Sequence, residues 1–436
     1  MMKKYVIILF VALLGLSWYT GASEAVKKPE KIKEHLQKAA ELEEKEIYVD
    51  AVLEYEQALE YRPDDTKILI RMAEAYLKSG DSKKFISICE KAASIEPSDT
   101  TAVDLLARHY VDNGSEEKAV KYLKGYLELY PDNENAQQWL VKLKGSYSEV
   151  YCRYDEMSEI VNDCMVVRKE SLYGIADVRG REILECEYEE IHPFSEEGLA
   201  LARNQKGAYV YIDEDGRIRK APDAVYESLG MFSEERAAAY KDGKYGYLDE
   251  ETEPAGEFRW DELTGFKNGV GAGRKGKKWS LVDKRGEAKG DKEYDDVIVD
   301  GSGLCSNQKR IFVKEGEKYR LVDQKGKEAS KLSFDDAKAF MSDGYAAVCK
   351  DGKWGFLNTD GKLAIDYIYA DAQSFQNGLA PVCKEGLWGY IDIDGNVIIE
   401  PQFVEASQFS AEGTAVVKVE EDGKEEQRLI QLEAFI

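Results

Sequence analysis

Seven copies of one aromatic motif occupy the last two-thirds of this 436-residue chain. In each copy a Tyr or Trp stands four residues before an Asp or Asn, and Gly follows the aromatic residue in four of the copies. Successive copies are 34 to 40 residues apart. This spacing indicates tandem units that are each too small to be stable alone and that pack on their neighbours. The seven aromatic residues are Tyr173, Tyr209, Tyr245, Trp279, Tyr319, Trp354 and Trp388.

The residues around each motif alternate between apolar and polar side chains, which predicts β-strands. In the last copy, strands are predicted at 379–383, 388–392 and 397–400, and the turn before the third strand contains Asp394 and Gly395. Asp-Gly between alternating apolar runs is a strong signal for a β-hairpin. Each unit is therefore predicted to be a three-stranded ribbon.

The number of motifs predicts how the ribbons are arranged. Seven ribbons favour a closed or nearly closed β-propeller-like ring, because closure leaves only short, protected strand edges. An open β-superhelix is the alternative. Residues 414–431 are predicted to form one more hairpin without the aromatic motif, which either completes the first blade and so closes the ring or caps an open array. The unit at 297–315 has extra residues around 300–303, consistent with the spacing of 40 residues there.

A different repeat, of 34 residues, runs between residues 31 and 146. Its markers are Pro63, Pro97 and Pro131. Apolar residues recur at three- and four-residue spacing, which predicts two amphipathic helices per unit, with Pro ending the second helix. Residues 135–143 are predicted to form a further helix that caps the stack. The predicted fold class is α+β multidomain, with an α-helical solenoid followed by an all-β repeat domain.

The helical units closely resemble the tetratricopeptide repeat (TPR), in three copies at 32–65, 66–99 and 100–133. The resemblance implies a concave groove, lined by the first helix of each copy, that binds extended peptides or partner helices. Family members that clamp a C-terminal carboxylate need Lys and Asn where this chain has Leu36 and Ala40, so that ligand is not expected. The implied groove residues are Lys33, Leu36, Ala40, Lys67, Ile70, Glu74, Asp104 and Arg108.

The β units resemble the WG-repeat family over residues 160–432. Trp354-Gly355 and Trp388-Gly389 match the motif fully. The family is found in many bacterial proteins, often beside TPR units, and the resemblance implies no catalytic residue. The repeated aromatic residues are expected to pack in the core or, as the alternative, to stack on sugars from an exposed face of the propeller.

The first residues of the chain have the pattern of an export signal. Lys3 and Lys4 precede an apolar run of 14 residues at 5–18, which is shorter than the roughly 20 residues of a transmembrane helix. We expect a signal peptide at 1–25, with an uncleaved anchor as the alternative. The other predicted boundaries are 26–146 for the TPR domain, 147–161 for a linker and 162–436 for a WG-repeat domain of seven repeats.

Charge and residue content disfavour several functions. A net charge of −24 opposes binding to nucleic-acid phosphates. The three His and seven Cys lack metal-ligand spacing, and the sequence has no known catalytic motif, so no metal, cofactor or enzymatic activity is expected. Cys152 and Cys164 are the one plausible local disulfide pair.

Two repeat arrays without converging catalytic residues predict a non-enzymatic scaffold or adaptor that binds other proteins. Together with the export signal, they predict a protein of the bacterial cell envelope, periplasmic or on the cell surface, without a membrane span after signal cleavage. The alternative is a glycan-binding or glycan-processing protein of the envelope.

Overall fold

A computed structural model describes residues 28–195, 197–222 and 226–433 of the chain. These residues belong to two compact units, one ending at Leu143 and one beginning at Lys144. The predicted signal peptide at 1–25 lies outside the described residues. Within the described residues, no helix has the length and apolar character needed to cross a membrane.

The first unit is a solenoid of α-helices, and each helix from α2 to α5 packs against the next one along the chain. Small side chains and turn residues determine this pairing. Gly80 and Gly114, in the turns after α3 and α5, have φ angles of 88° and 60°, which residues with a Cβ rarely adopt. Ala73 and Ala107 are fully buried, which allows neighbouring helices to approach closely. The seven helices in the described part are α1 (28–44), α2 (Tyr48–Tyr61), α3 (Thr66–Lys78), α4 (Ser82–Ile95), α5 (Thr101–Asp112), α6 (Glu116–Leu129) and α7 (Glu134–Lys144).

The second unit is an all-β domain whose described residues form eight antiparallel sheets, termed blades. Blade 1 contains β2 (Glu156–Met157), β3 (Cys164–Lys169), β4 (Leu172–Asp177) and β5 (Glu182–Tyr188). Blade 2 contains β6 (Glu190–Ile191), β7 (Leu199–Arg203), β8 (Tyr209–Asp213) and β9 (Ile218–Lys220). Blade 3 contains β10 (Ser228–Leu229), β11 (Ala237–Lys241) and β12 (Lys244–Leu248). Blade 4 contains β13 (Glu262–Leu263), β14 (Gly271–Lys275) and β15 (Lys278–Val282).

The other four blades follow the same order. Blade 5 contains β16 (Asp296–Val297), β17 (Arg310–Glu315), β18 (Lys318–Asp323) and β19 (Glu328–Phe334). Blade 6 contains β20 (Asp336–Ala337), β21 (Tyr345–Lys350), β22 (Lys353–Asn358) and β23 (Leu363–Tyr369). Blade 7 contains β24 (Asp371–Ala372), β25 (Leu379–Lys384), β26 (Leu387–Asp392) and β27 (Val397–Phe403). Blade 8 contains β28 (Glu405–Ala406), β29 (Thr414–Glu421), β30 (Lys424–Leu432) and β1 (Tyr147–Val150).

The two ends of the β unit meet in blade 8. Strand β1 runs antiparallel to β30, with Tyr147 opposite Leu432. Val416 of blade 8 and Met165 of blade 1 belong to one buried cluster, and the Gln427 side chain accepts a hydrogen bond from the backbone N–H of Met157 at 2.7 Å. The predicted β-propeller-like ring is therefore confirmed, and the open β-superhelix is wrong. The ring has eight blades, not seven, because the hairpin at 414–431 forms a blade with β1.

The β unit begins earlier in the chain than predicted, at Lys144 rather than at residue 162. Residues 147–161, predicted to form a linker, contribute β1 and β2 to the β unit. An ion pair of 2.8 Å between Glu149 and Arg428 joins β1 to the last strand. The segment is short, and its partner lies at the other end of the domain. Local sequence pattern therefore could not identify it as a strand.

A close backbone contact requires the Gly of the WG motif in blades 1, 6 and 7. In blades 1, 6 and 7 the pairing of the third and fourth strands shifts register next to the motif. A Cβ placed on Gly174, Gly355 or Gly389 would lie 2.4, 2.6 or 2.4 Å from a carbonyl oxygen of the fourth strand. No backbone atom can move away cheaply at that distance, so only Gly fits.

We expect Gly389→Ala to lower the free energy of unfolding of the β unit by about 1–3 kcal/mol, because overpacking displaces the outer strand of blade 7. Gly125→Ala is the matched control. Gly125 lies in α6, and a Cβ there would meet no atom within 4 Å. The control should therefore stabilise the helical unit by about 0.5–1 kcal/mol. Chemical denaturation followed by circular dichroism measures both, and equal effects in the two variants would show that the close contact does not select Gly in the motif.

Candidate functional site

Two-residue turns with left-handed backbone conformation connect the first and second strands of several blades. In blade 1 the turn residues Asn162 and Asp163 have φ angles of 50° and 57°, and in blade 5 Gln308 and Lys309 have 52° and 58°. Antiparallel bridges flank each turn, as in a two-residue hairpin loop. Residues with a Cβ are disfavoured at these φ angles, so surrounding contacts must hold the turns in place.

Hydrogen bonds between neighbouring blades provide those contacts. The Glu234 carboxylate of blade 3 accepts from the backbone N–H groups of Asn268 and Gly269 in blade 4, at 2.7 and 3.0 Å. The Asp343 carboxylate of blade 6 accepts in the same way from the turn at 377–378 of blade 7, at 3.1 and 2.6 Å. These two acidic side chains therefore join one blade to the next.

Residues 298–307 of blade 5 depart from the repeat. Because they form part of a cavity wall, we call them the cavity segment. The Asp300 Oδ1 atom accepts from the backbone N–H groups of Ser302 and Leu304, at 2.9 Å each. The Gly265 N–H of blade 4 donates to the carbonyl oxygen of Gly303 at 2.8 Å. Asn307 donates from its side chain to Asp300 Oδ2 at 2.7 Å. These bonds hold the cavity segment in one conformation against blade 4.

The cavity segment forms one wall of a cavity of about 810 Å³. The other walls come from the turns of blades 1, 2, 6, 7 and 8. Four carboxylates line it, from Glu159, Asp163, Glu214 and Asp300, whereas no Lys or Arg is among the described residues of its wall. Apolar side chains complete the wall, including Ile160, Leu304 and Phe340. The cavity wall therefore combines carboxylates with apolar side chains, and Lys267 approaches it from behind, with its Nζ atom 2.6 Å from Asn307 Oδ1.

Two of the cavity carboxyls are electrostatically perturbed. Desolvation raises the pKa of the Glu159 carboxyl, and the negative charge of Asp300 raises it further. The Glu159 side chain is exposed to solvent inside the cavity. Because protein surrounds that solvent, the carboxyl is nevertheless less well solvated than it would be in bulk water. Desolvation also raises the pKa of the Asp163 carboxyl, with a further contribution from Glu412. The Asp163 Oδ1 atom is shielded from solvent and has no hydrogen-bond partner within the described parts of the chain.

The predicted groove residues lie on the first helix of each TPR copy. Lys33, Lys67, Glu74 and Arg108 are exposed, whereas Leu36, Ala40, Ile70 and Asp104 are partly buried. On α1 and α3, partly buried apolar side chains therefore alternate with exposed charged ones.

Asp104 has a structural role within this group. Its Oδ1 atom accepts from the indole N–H of Trp139 at 2.6 Å and from the side chain of Asn135 at 3.0 Å. Its Oδ2 atom lies 3.3 Å from the Arg108 guanidinium. Asp104 therefore fastens the capping helix α7 to α5 and is not available to a ligand in the way the sequence predicted.

The repeated aromatic residues pack within the blades. Trp354 lies opposite Tyr369 and Trp388 opposite Phe403 on the neighbouring strand. Trp354 and Tyr319 are buried. The other five, Tyr173, Tyr209, Tyr245, Trp279 and Trp388, are partly buried.

The cysteines and metal-ligand residues add no further site. All seven cysteines are free thiols, so the predicted pair of Cys152 and Cys164 is not a disulfide. Across residues 28–195, 197–222 and 226–433, no group of three or more His, Cys, Asp or Glu side chains is arranged to hold a metal ion. The cavity is thus the site that sequence reasoning missed, although the 40-residue spacing and the acidic Gly-rich stretch at 300–303 marked the segment that forms it.

Comparison with protein families agrees with the two repeat types. The family described as tetratricopeptide repeat matches residues 42–108. The family described as WG containing repeat matches 173–207, 211–245, 319–354, 354–388 and 388–424. The chain therefore contains TPR repeats followed by WG repeats. No WG match covers residues 246–318, which include the cavity segment.

Similar solved structures share little sequence with this repeat protein. PorZ, described as an essential bacterial surface component of the type-IX secretion system of Porphyromonas gingivalis, is 12% identical with a TM-score of 0.36, over 62% of this chain and 42% of PorZ. The chain thus spans less than half of PorZ. BamB from Moraxella catarrhalis is 11% identical with a TM-score of 0.39, over 66% of this chain and 100% of BamB. The C-terminal WD40 domain of Sif2 is 8% identical with a TM-score of 0.42, over 65% and 98%. No curated protein matches the chain.

We expect the Glu159 carboxyl to make stability depend on pH. Its pKa is higher in the folded protein than in the unfolded chain, so the folded state binds the proton more tightly. Between the two pKa values, stability therefore falls as the pH rises. Glu159→Gln should melt at the same or a higher temperature than the wild type near pH 7. That difference should shrink as the pH falls toward about 4.3, the ordinary pKa of Glu.

Differential scanning fluorimetry across this pH range measures the effect. Glu426→Gln, on an exposed part of β30, removes the same charge outside the cavity and is the matched control. A lower melting temperature for Glu159→Gln at pH 7 would show that the ionised carboxylate stabilises the fold, which is the opposite of what its desolvation predicts.

Proposed function

We propose that this chain is an exported, non-enzymatic scaffold or adaptor that joins proteins of the bacterial cell envelope. TPR and propeller folds both support a role as a protein-interaction scaffold. The proposal of export rests on Lys3, Lys4 and the apolar run at 5–18. The periplasm or the cell surface is the compartment proposed on that basis.

The proposal rests on the residue pattern of α1 and α3, whose side chains would form the binding face. Leu36 and Ile70 are partly buried on it, and Lys33, Lys67 and Glu74 are exposed beside them. A partly apolar surface with charged residues at its rim is typical of sites that bind a partner helix or an extended peptide. Asp104 differs because it is committed to α7. The proposed binding face therefore centres on the first two TPR copies.

The alternative proposal, a glycan-binding or glycan-processing protein, has weaker support. In that hypothesis the repeated Tyr and Trp side chains stack on sugars from an exposed face. Trp354 and Tyr319 are buried, and Trp388 packs opposite Phe403. These rings already cover neighbouring strands, which favours the adaptor.

We expect a photoreactive amino acid at position 67 to crosslink one defined envelope protein. The same residue at position 83 is the control, because Lys83 is also exposed but lies on α4, the second helix of its copy. The reversed-charge variant Lys33→Glu with Lys67→Glu should reduce recovery of that protein at least tenfold in affinity purification, without lowering the melting temperature. The measurement is mass spectrometry of periplasmic and surface fractions.

Three results would contradict the proposal. Equal crosslinking at positions 67 and 83 would show non-specific contact. Unchanged recovery with the charge-reversed variant would remove the binding face from α1 and α3. Retention of the protein in the cytoplasm would contradict export.

A further inference from the structure

We propose that two neighbouring hairpins, β14–β15 of blade 4 and β11–β12 of blade 3, bind a run of Asp or Glu side chains in a protein partner. The proposal rests on the proposed function, since it names the chemistry of one contact between the scaffold and a protein. The contact surface is called the lysine surface and consists of Lys241, Lys244, Lys275, Lys277 and Lys278.

Blade 4 is a basic region in an acidic protein. Residues 264–292 contain nine Lys or Arg against three Asp or Glu, a net charge of +6, whereas the whole chain carries −24. The sequence Arg-Lys-Gly-Lys-Lys at 274–278 places four of these basic residues in one hairpin. A local excess of one sign within a chain of the opposite sign indicates a surface for a charged partner.

The hairpin of blade 4 also places like charges directly opposite each other. Lys275 pairs with Lys278 across its two strands. Like charges at directly opposed positions of a β-ladder destabilise it. In blade 5 the equivalent positions hold Glu315 and Lys318, which attract each other. The opposed lysines of blade 4 therefore have a cost in stability that a bound carboxylate would relieve.

The turn residue of the hairpin distinguishes blade 4 from the two blades that share its opposed lysines. The other opposed pairs are Lys241 with Lys244 in blade 3 and Lys350 with Lys353 in blade 6. In those blades the turn contains an acidic residue, Asp242 or Asp351, which offsets one positive charge. The turn of blade 4 contains Lys277 instead. Blade 4 is therefore the centre of the lysine surface.

Neighbouring carboxylates neutralise only part of this charge. Three basic residues of the two hairpins have acidic partners: Lys244 with Asp261 at 2.5 Å, Lys278 with Asp295 at 2.6 Å, and Arg274 with Glu262. Lys275 and Lys277 are exposed, and neither forms an ion pair with any residue that the structure describes. These two ammonium groups are thus available to a partner.

Asp261 holds the two hairpins side by side. Its Oδ1 atom contacts the ammonium of Lys244 in blade 3, and its Oδ2 atom accepts from the backbone N–H of Gly276 in blade 4 at 2.6 Å. The turns themselves are open to solvent, because a Cβ on Gly243 or Gly276 would meet no atom within 4 Å. The backbone that carries the charges is therefore fixed and accessible, which lowers the entropy cost of binding.

The charge of the whole protein distinguishes between the possible anionic partners. An extended anionic surface, such as a lipid membrane, meets the net charge of −24 as well as the lysine surface, and the overall interaction is repulsive. A short acidic segment interacts mainly with the local charges, because salt screens interactions beyond about 8 Å at physiological ionic strength. Segments rich in Asp and Glu do not fold alone, so such a segment can extend across both hairpins.

Fluorescence anisotropy of a labelled peptide, titrated with the full chain, tests the proposal. The probe is a fluorescein-labelled peptide of six Glu between two Gly, and the control probe has Gln in place of each Glu. We expect the Glu peptide to bind at least tenfold more tightly than the Gln peptide. Its affinity should fall as the salt concentration rises.

The test variant is Lys275→Gln with Lys277→Gln. Neither substitution leaves a carboxylate without its ion-pair partner, and the repulsion between positions 275 and 278 is removed, so the melting temperature should not fall. We expect this variant to lose at least fivefold in affinity for the Glu peptide. The matched control is Lys325→Gln with Lys327→Gln, which alters the same Lys-Gly-Lys sequence in an exposed turn after β18 of blade 5. It should remain within twofold of the wild type.

The outcomes separate the lysine surface from the proposed function. Equal binding of the Glu and Gln peptides, or undiminished binding by the test variant, would overturn the lysine surface even if the crosslinking experiment identifies a partner. Failure of crosslinking at position 67 together with tight binding of the Glu peptide would contradict the binding face on α1 and α3 and leave the lysine surface supported.

Two further measurements test the identity of the occupant. Binding to phosphatidylglycerol vesicles without binding of the Glu peptide would assign the surface to lipid and overturn the acidic protein segment. Self-association of the wild type in sedimentation velocity, abolished in the test variant, would make a second copy of the chain the occupant and would likewise overturn the proposal.

Discussion

Mutual burial between neighbouring blades is the interaction on which the β unit depends. One buried cluster joins Val166 and Ile175 of blade 1 to Ala200 and Ile212 of blade 2, and comparable clusters join later pairs of blades. A ribbon of three or four strands cannot cover both of its faces, so it is not stable alone. Every blade therefore needs two neighbours. Pairing of β1 with β30 meets this need at the ends of the array, because it completes blade 8 beside blade 1.

Because every blade must pack on its neighbours, the core residues of each unit recur from blade to blade, whereas residues outside the core can differ. Gly355 and Gly389 repeat because a Cβ would strike the outer strand, and the preceding Trp packs opposite an aromatic residue of that strand. Glu159 and Glu214, which line the cavity, are exposed and lie outside the blade cores. Carboxylates could therefore accumulate there without loss of the blade cores, and one unit could lengthen into the cavity segment.

In the helical unit, too, equivalent positions of the repeat have different roles in different copies. In α1 and α3 the predicted groove positions are exposed at Lys33, Lys67 and Glu74 and partly buried at Leu36, Ala40 and Ile70. In the third copy, Asp104 instead receives hydrogen bonds from Trp139 and Asn135 of α7. A position at the end of an array meets the capping helix rather than another repeat. Its role there is structural, although its sequence position is the same.

The sequence alone determined the two repeat types, their order and the antiparallel ribbon of each β unit, because period, turn residues and the WG glycine are local properties. It could not determine the number of blades or the role of β1, since a four-residue strand has no signal of its own and gains its identity from β30. Only the tertiary structure decided which acidic residues meet. Glu159, Asp163, Glu214 and Asp300 come from three blades, and their common cavity exists only because the ring closes and the cavity segment lies across it.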